Sequence, residues 1–252
     1  MITDLNFYLL AIPALLIVGI SKGGFGGGIG MVAVPMLSLV ISPVAAAAIL
    51  LPVLCLMDLF ALRGFRGKFD LSVIKPILPA ALVGVLAGAF SFHLMSERGI
   101  KFMIATLTLL FCADALIKAL RKRQTPAKKP NVVRASIWSS LAGFTSFSVH
   151  AGGPPLNMYL LPLRLEKSLY VSTTVIFFTF INYVKLIPYV SLGLFDQSIL
   201  LTALILAPIA PVGIWLGIYM HNRIDERLFY QLCYVFLFLT GLKLGYDALT
   251  MA

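Results

Sequence analysis

The chain is a succession of long apolar stretches, and six reach the length a helix needs to cross a bilayer: 43–62, 70–92, 99–120, 168–191, 197–220 and 227–248. A hydrocarbon core asks for roughly 20 apolar residues in a helix, within a range of about 17–25. No water-soluble fold hides this much apolar surface: 60% of the 252 residues are hydrophobic and only 12% are charged, against about a quarter charged in soluble domains. A bundle in lipid meets no such difficulty, because its outside can be as apolar as its inside. The expectation is an all-α polytopic membrane protein, one transmembrane domain over 1–252 whose first partner is the lipid bilayer.

Four other apolar stretches are shorter. Residues 5–20 and 31–42 flank Ser-Lys-Gly-Gly-Phe-Gly-Gly-Gly-Ile-Gly at 21–30, and 135–147 and 156–164 flank Ser-Val-His-Ala-Gly-Gly-Pro-Pro at 148–155. Short arms around a Gly/Pro break predict half-helices that meet at membrane depth. The opening MITDLNFYLL has no basic stretch and no small-residue cleavage site, so it reads as the first membrane segment and not as a removable leader.

A net charge of +10 would suit a nucleic-acid partner, but the cations sit in short runs between apolar stretches and have no polar face around them. They mark cytoplasmic loops instead. Residues 121–134 carry Arg121, Lys122, Arg123, Lys128, Lys129 and Arg134 together with Pro126 and Pro130, which makes a basic linker between a first repeat, 1–120, and a second, 135–252. If each broken region is a hairpin returning to its own side, 13 Lys/Arg lie inside and two outside, Arg98 and Lys101; if each crosses once, the counts are nine and six. The hairpin arrangement fits the positive-inside rule better and puts both termini outside.

The halves share landmarks in the same order. Gly19 answers Gly143, Gly27–Gly28 answers Gly152–Gly153, and Phe69-Asp70 answers Phe195-Asp196. Pro79, Gly84 and Gly88 answer Pro208, Gly213 and Gly217, and Glu97-Arg98 answers Glu226-Arg227. A hairpin plus three spans is an odd count of crossings, so the second copy enters upside down. Inverted repeats with interrupted helices in matching positions point to a secondary transporter with its site near the midplane. Duplication for bundle-building alone, with glycines for close packing, is the competing account.

Lys22, in the first break, is the sharpest site candidate. A lysine at membrane depth costs at least ~2.5–3.5 kcal/mol unless paired or solvated, and the backbone amides of Gly23, Gly24, Gly26, Gly27 and Gly28 would add anion-binding donors. His150, beside Gly152 and Gly153 in the second break, can donate to an oxyanion or change protonation. Asn182 and Lys185 share a helix face in the 168–191 span, and Asp58 holds a comparable depth in 43–62, so a rearranging Asp–Lys pair is one reading and a fixed structural pair the other. Thr145, Ser146, Ser148, Asn157 and Tyr159 supply neutral donors around the second break. Asp58 and His150 are the candidates for coupling to protons. Cys55, Cys112 and Cys233 sit apart in apolar runs and read as buried thiols, and neither a metal nor any other cofactor is expected. An enzyme would need a nucleophile–base pair or a metal cluster, and neither spacing is present.

Two segments carry a resemblance. Gly-Ile-Ser-Lys-Gly-Gly-Phe-Gly-Gly-Gly-Ile-Gly at 19–30 followed by Val34-Pro35, and Ala-Gly-Gly-Pro-Pro-Leu-Asn-Met-Tyr-Leu-Leu-Pro at 151–162, resemble the paired signatures of the sulfite exporter TauE/SafE family. The likeness extends over length, halves and basic linker. It implies transport of a small sulfur-containing anion, such as sulfite, a sulfonate or a related organosulfur acid, across a bacterial inner membrane. A passive anion channel with the same site is the alternative.

Overall fold

Most of the long helices in the computed structural model begin on a side chain that caps their free N–H groups. The structure describes residues 2–26, 30–65, 69–121, 127–221 and 223, with scattered positions between 238 and 250. Asp4 caps α1 (Leu5–Gly24), and a short α2 (Ala33–Leu37) follows. Ser42 caps α3 (Pro43–Gly64), whose proline stands where no N–H is needed. Asp70 caps α4 (Leu71–Ser91), and α5 (Glu97–Arg121) completes the first half. Asn131 caps α6 (Val132–Val149), which is followed by α7 (Gly153–Leu160). Glu166 caps α8 (Lys167–Ser191) and Asp196 caps α9 (Gln197–Leu206), with α10 (Ile209–Met220) continuing beyond Pro208. The matched Phe-Asp pairs of the two halves are thus helix starts: Asp70 accepts from the Ser72 amide at 2.8 Å and Asp196 from the Ile199 amide at 2.7 Å.

Among the described residues no strand occurs, and five stretches are long and apolar enough to cross a membrane: Leu5–Gly24, Pro43–Gly64, Leu71–Ser91, Lys167–Ser191 and Gln197–Met220. The chain is therefore a polytopic helical membrane protein, with Leu9, Val83, Leu110, Ile187, Leu204 and Trp215 among the apolar side chains left on its outside. Helix α5 covers the expected 99–120 span but carries Glu97, Arg98, Lys101, Asp114 and Lys118 and is not one of the five. The expected 227–248 span lies almost wholly outside the described residues, as do Gly27 and Gly28.

One expectation is corrected. The first arm of each broken region is not a short half-helix: α1 runs 20 residues through Lys22, Gly23 and Gly24, and α6 runs 18. Glycine is a poor helix former, yet Gly23 and Gly24 remain helical because the backbone of α10 occupies the space their side chains would fill. A Cβ on Gly23 would sit 2.5 Å from the Ile214 carbonyl oxygen. Only the return arms are short, a 3₁₀ turn at Gly30–Val32 leading into α2, and α7 leading into a 3₁₀ turn at Leu161–Leu163. The Lys128 amide donates to the Pro162 carbonyl at 2.8 Å, so the second region returns to the end from which it set out, as a hairpin does.

Each long arm lies against a helix of the other half: α1 runs along α10, and α6 along α4. Both seams use glycines to bring backbones into contact. A Cβ on Gly19 would lie 2.7 Å from the Gly213 Cα, and one on Gly88 would lie 2.9 Å from the Phe147 Cβ. Gly84 and Gly143 meet backbone atoms of the opposing helix in the same way. Helices α3 and α8 pack against each other between the two seams.

Candidate functional site

Where α3 and α8 meet the ends of α1 and α6, four charged or ionisable side chains are buried together. Lys22 enters from α1, Asp58 from α3, His150 from the end of α6 and Lys185 from α8; Asp58 and Lys185 are wholly buried, Lys22 is 5% exposed and His150 6%. The Lys22 ammonium lies 2.5 Å from Asp58 Oδ1 and also approaches the Leu54 carbonyl at 3.4 Å. The other carboxylate oxygen, Oδ2, accepts from the Asn182 amide at 2.8 Å. A buried pair of this kind holds only when further hydrogen bonds satisfy its remaining atoms, and Asn182 supplies one of them.

Lys185 is held differently. Its ammonium is within reach of three acceptors: the Ser146 carbonyl at 3.1 Å, Ser146 Oγ at 3.1 Å and His150 Nδ1 at 2.8 Å. The other imidazole nitrogen, Nε2, lies 2.9 Å from the Ala47 carbonyl. One tautomer satisfies every partner: Nε2–H donates to Ala47 while Nδ1 accepts from Lys185. His150 takes its place because it closes α6 in the left-handed conformation, φ 52°. Non-glycine residues rarely adopt that conformation, which turns the chain sharply here. Tyr189, one turn along α8, donates to the Phe147 carbonyl at 2.8 Å and stacks near the imidazole.

Between these groups lies a cavity of about 30 Å³ lined by Val18, Lys22, Gly30, Leu54, Ser146, His150, Phe178 and Asn182. That is room for one or two water molecules. The ceiling is apolar, with the Phe178 ring centroid 6.0 Å from the Lys22 ammonium. The site is thus a small chamber whose accessible wall is mostly apolar, with one lysine in that wall and a second behind Ser146 and His150.

Of the residues singled out from sequence, Lys22, Ser146, His150 and Asn182 line the chamber, and Asp58 and Lys185 stand directly behind it. The glycines are placed otherwise. Gly23 and Gly24 face α10, and Gly152 fits between α6 and α8, where a Cβ would come 2.7 Å from the Ala142 carbonyl oxygen and 3.3 Å from Phe178. Gly26 turns the chain at φ 75° over the Tyr170 ring. Gly153 opens α7, and Asn157 accepts from the Tyr170 hydroxyl at 2.6 Å, away from the chamber. The reading from sequence missed Val18, Gly30, Leu54 and Phe178. Leu54 and Phe178 lie four residues before Asp58 and Asn182 on their helices, so the polar pair carried a signal for the apolar one. Among the described residues no cluster of histidine, cysteine and acidic side chains could hold a metal ion.

Long apolar helices around buried lysines define the molecule as an integral membrane protein, and the chamber between them is its candidate site. The sequence model of the sulfite exporter TauE/SafE family matches residues 11–244. The chain belongs to that family, which makes it a membrane protein of anion transport. No curated protein and no solved structure matches it.

Proposed function

We propose that the protein is a secondary transporter that carries a small sulfur-containing anion, namely sulfite, a sulfonate or a related organosulfur acid, across a bacterial inner membrane by alternating access. The observation that carries this reading is the chamber itself, with Lys22 in its wall and Lys185 behind it, buried at the meeting point of two broken hairpins. Lysines are placed in such surroundings at a cost that function offsets. The Lys22 ammonium has spent two of its three protons on Asp58 and Leu54, and Asn182 has spent one amide proton on Asp58; each retains a donor for an oxyanion.

The two seams support reading the halves as inverted repeats. Gly19 against Gly213 and Gly84 against α6 are the same contact made with the halves exchanged, and Asn182 stands 124 residues after Asp58, close to the spacing of the other landmarks. In this reading each half supplies one hairpin and one central helix, and alternating access is a movement of the hairpins and their clamped partners about α3 and α8. Both termini face the periplasm.

The test is uptake of labelled sulfite and methanesulfonate into proteoliposomes, with unlabelled anion trapped inside to detect counterflow. Saturable uptake with counterflow, lost in Lys22→Ala, is the expected result. Normal transport by Lys22→Ala would remove the chamber from the mechanism, and unsaturable flux without counterflow would make the protein a channel.

A further inference from the structure

The charges around the chamber do not balance. Lys22 and Asp58 cancel, Cys55 and Tyr183 on neighbouring turns are neutral as thiol and phenol, and Lys185 has no carboxylate in contact among the described residues. With the ammonium in place the site carries one surplus positive charge. An uncompensated charge deep in a membrane protein is expensive, and a carrier has to move through its closed state both loaded and empty.

The contacts of Lys185 fit two protonation states equally well without moving a heavy atom. As an ammonium it donates to the Ser146 carbonyl, Ser146 Oγ and His150 Nδ1. As a neutral amine it donates to the Ser146 carbonyl and to His150, and its lone pair accepts from the Ser146 hydroxyl, which only has to rotate its proton. At 2.8 Å, Nζ and Nδ1 have room for one hydrogen between them, so Lys185 and His150 do not both carry a charge. Together they form one proton site. The charged and titratable groups that face it are Lys22 from α1, Asp58 and Cys55 from α3, and Tyr189 from its own helix.

We propose that this proton is the coupling proton, and that the protein moves one proton together with one singly charged anion. The inference rests on the chamber being the anion site. In the loaded carrier the protonated Lys185–His150 pair balances the anion, and the closed site is neutral. On release the proton leaves from Lys185 Nζ to the water that the site then faces, the Ser146 hydroxyl turns to donate to the amine, and the empty carrier is neutral again. Protons and charge balance in both directions: one proton and one monoanion are taken from one side and delivered to the other. Asp58 stays ionised against Lys22 throughout. The substrate class that follows is a monoanion, such as a sulfonate or hydrogen sulfite, and not a dianion.

The experiment uses the reconstituted full-length protein and methanesulfonate, which keeps a single negative charge across the working pH range. Wild-type net uptake is expected to follow an inward proton gradient and to ignore a potassium–valinomycin potential of either sign. Lys185→Arg cannot release its proton, so its ratio of net uptake to anion exchange is expected to fall about tenfold or more below the wild-type ratio, whatever the substitution does to the exchange rate itself. Ser146→Ala, which loses the donor to the neutral amine, is expected to slow net uptake more than exchange. Uptake by wild type that follows the membrane potential would overturn the proton assignment while leaving the anion site standing. So would full pH-driven net uptake by Lys185→Arg. Absence of both exchange and net flux in wild type would overturn the anion-site reading and this inference with it.

Discussion

Replacing Asp58 by asparagine removes the only negative charge in contact with the site lysines among the described residues while keeping the side chain's shape. At the observed 2.5 Å separation, a unit-charge pair is worth ~7 kcal/mol at an effective dielectric of about 20. Part of that only offsets the desolvation of the two groups, and truncating one partner of a buried pair typically costs about 3–5 kcal/mol. Helices already inserted in the bilayer find alternative partners before they pack, which argues for the lower end, about 3 kcal/mol. The asparagine also presents either an amide N–H₂ to the Lys22 ammonium or a second N–H₂ to Asn182, so one of the two contacts becomes donor against donor. The assay is a double-mutant cycle on SDS-induced unfolding, comparing wild type, Asp58→Asn, Lys22→Met and the double variant. Each single variant is expected to lose about 3 kcal/mol and the double variant clearly less than the sum. A coupling energy under about 1 kcal/mol would refute the view that this pair holds α1 to α3.

Gly19→Ala is expected to cost about 1–3 kcal/mol, because its Cβ meets the Gly213 backbone and neither helix can yield without opening the seam; thermal unfolding in detergent measures it. Gly30→Ala meets nothing within 4 Å and should leave stability within about 0.5 kcal/mol of wild type, yet slow transport by narrowing the chamber it lines. Tyr189→Phe should lose about 0.5–1.5 kcal/mol with its bond to the Phe147 carbonyl, with no change in the pH dependence of uptake. Cys55, 7% exposed, should stay unreactive toward a polar thiol reagent in the folded protein, and ready labelling of a variant that keeps only this cysteine would place it in a water-filled path.

Composition and the lengths of apolar runs were enough to show a membrane bundle, since bilayer thickness acts directly on span length. The identity of the buried polar residues was also legible, because Lys22, Asp58, Asn182 and Lys185 have no reason to lie in apolar helices unless they meet one another. Which of them meet was not legible. Asp58 could have paired with either lysine, and the choice of Lys22 depends on where α1 ends, which in turn depends on α10 supporting Gly23 and Gly24 as helix. Local reading saw those glycines as a break, whereas a contact nearly two hundred residues away keeps them helical. The same long-range contact explains why Gly23 and Gly24, expected to bind an anion through free amides, instead have their faces against another helix. The reading of His150 as a direct oxyanion donor depended on a free ring nitrogen, and both nitrogens are taken by Ala47 and Lys185.

The crossed seams have a consequence for the order in which the protein can be built. Helix α1 leaves the ribosome well before the helix that fills its glycine face, because α10 is synthesised about 190 residues later. Lys22, by contrast, finds Asp58 within the next span, so its charge can be neutralised in the membrane early while the neighbouring glycine face still lacks its partner. Helix α4 waits less, because α6 follows directly after the basic linker. A nascent chain halted after α8 would hold a complete charge network and one finished seam, with α1 docked through its lysine and its packing on α2, α3 and α8 but not yet on α10. Maturation of the first helix is then governed by arrival of the last third of the chain, and quality control in the membrane would act on that interval.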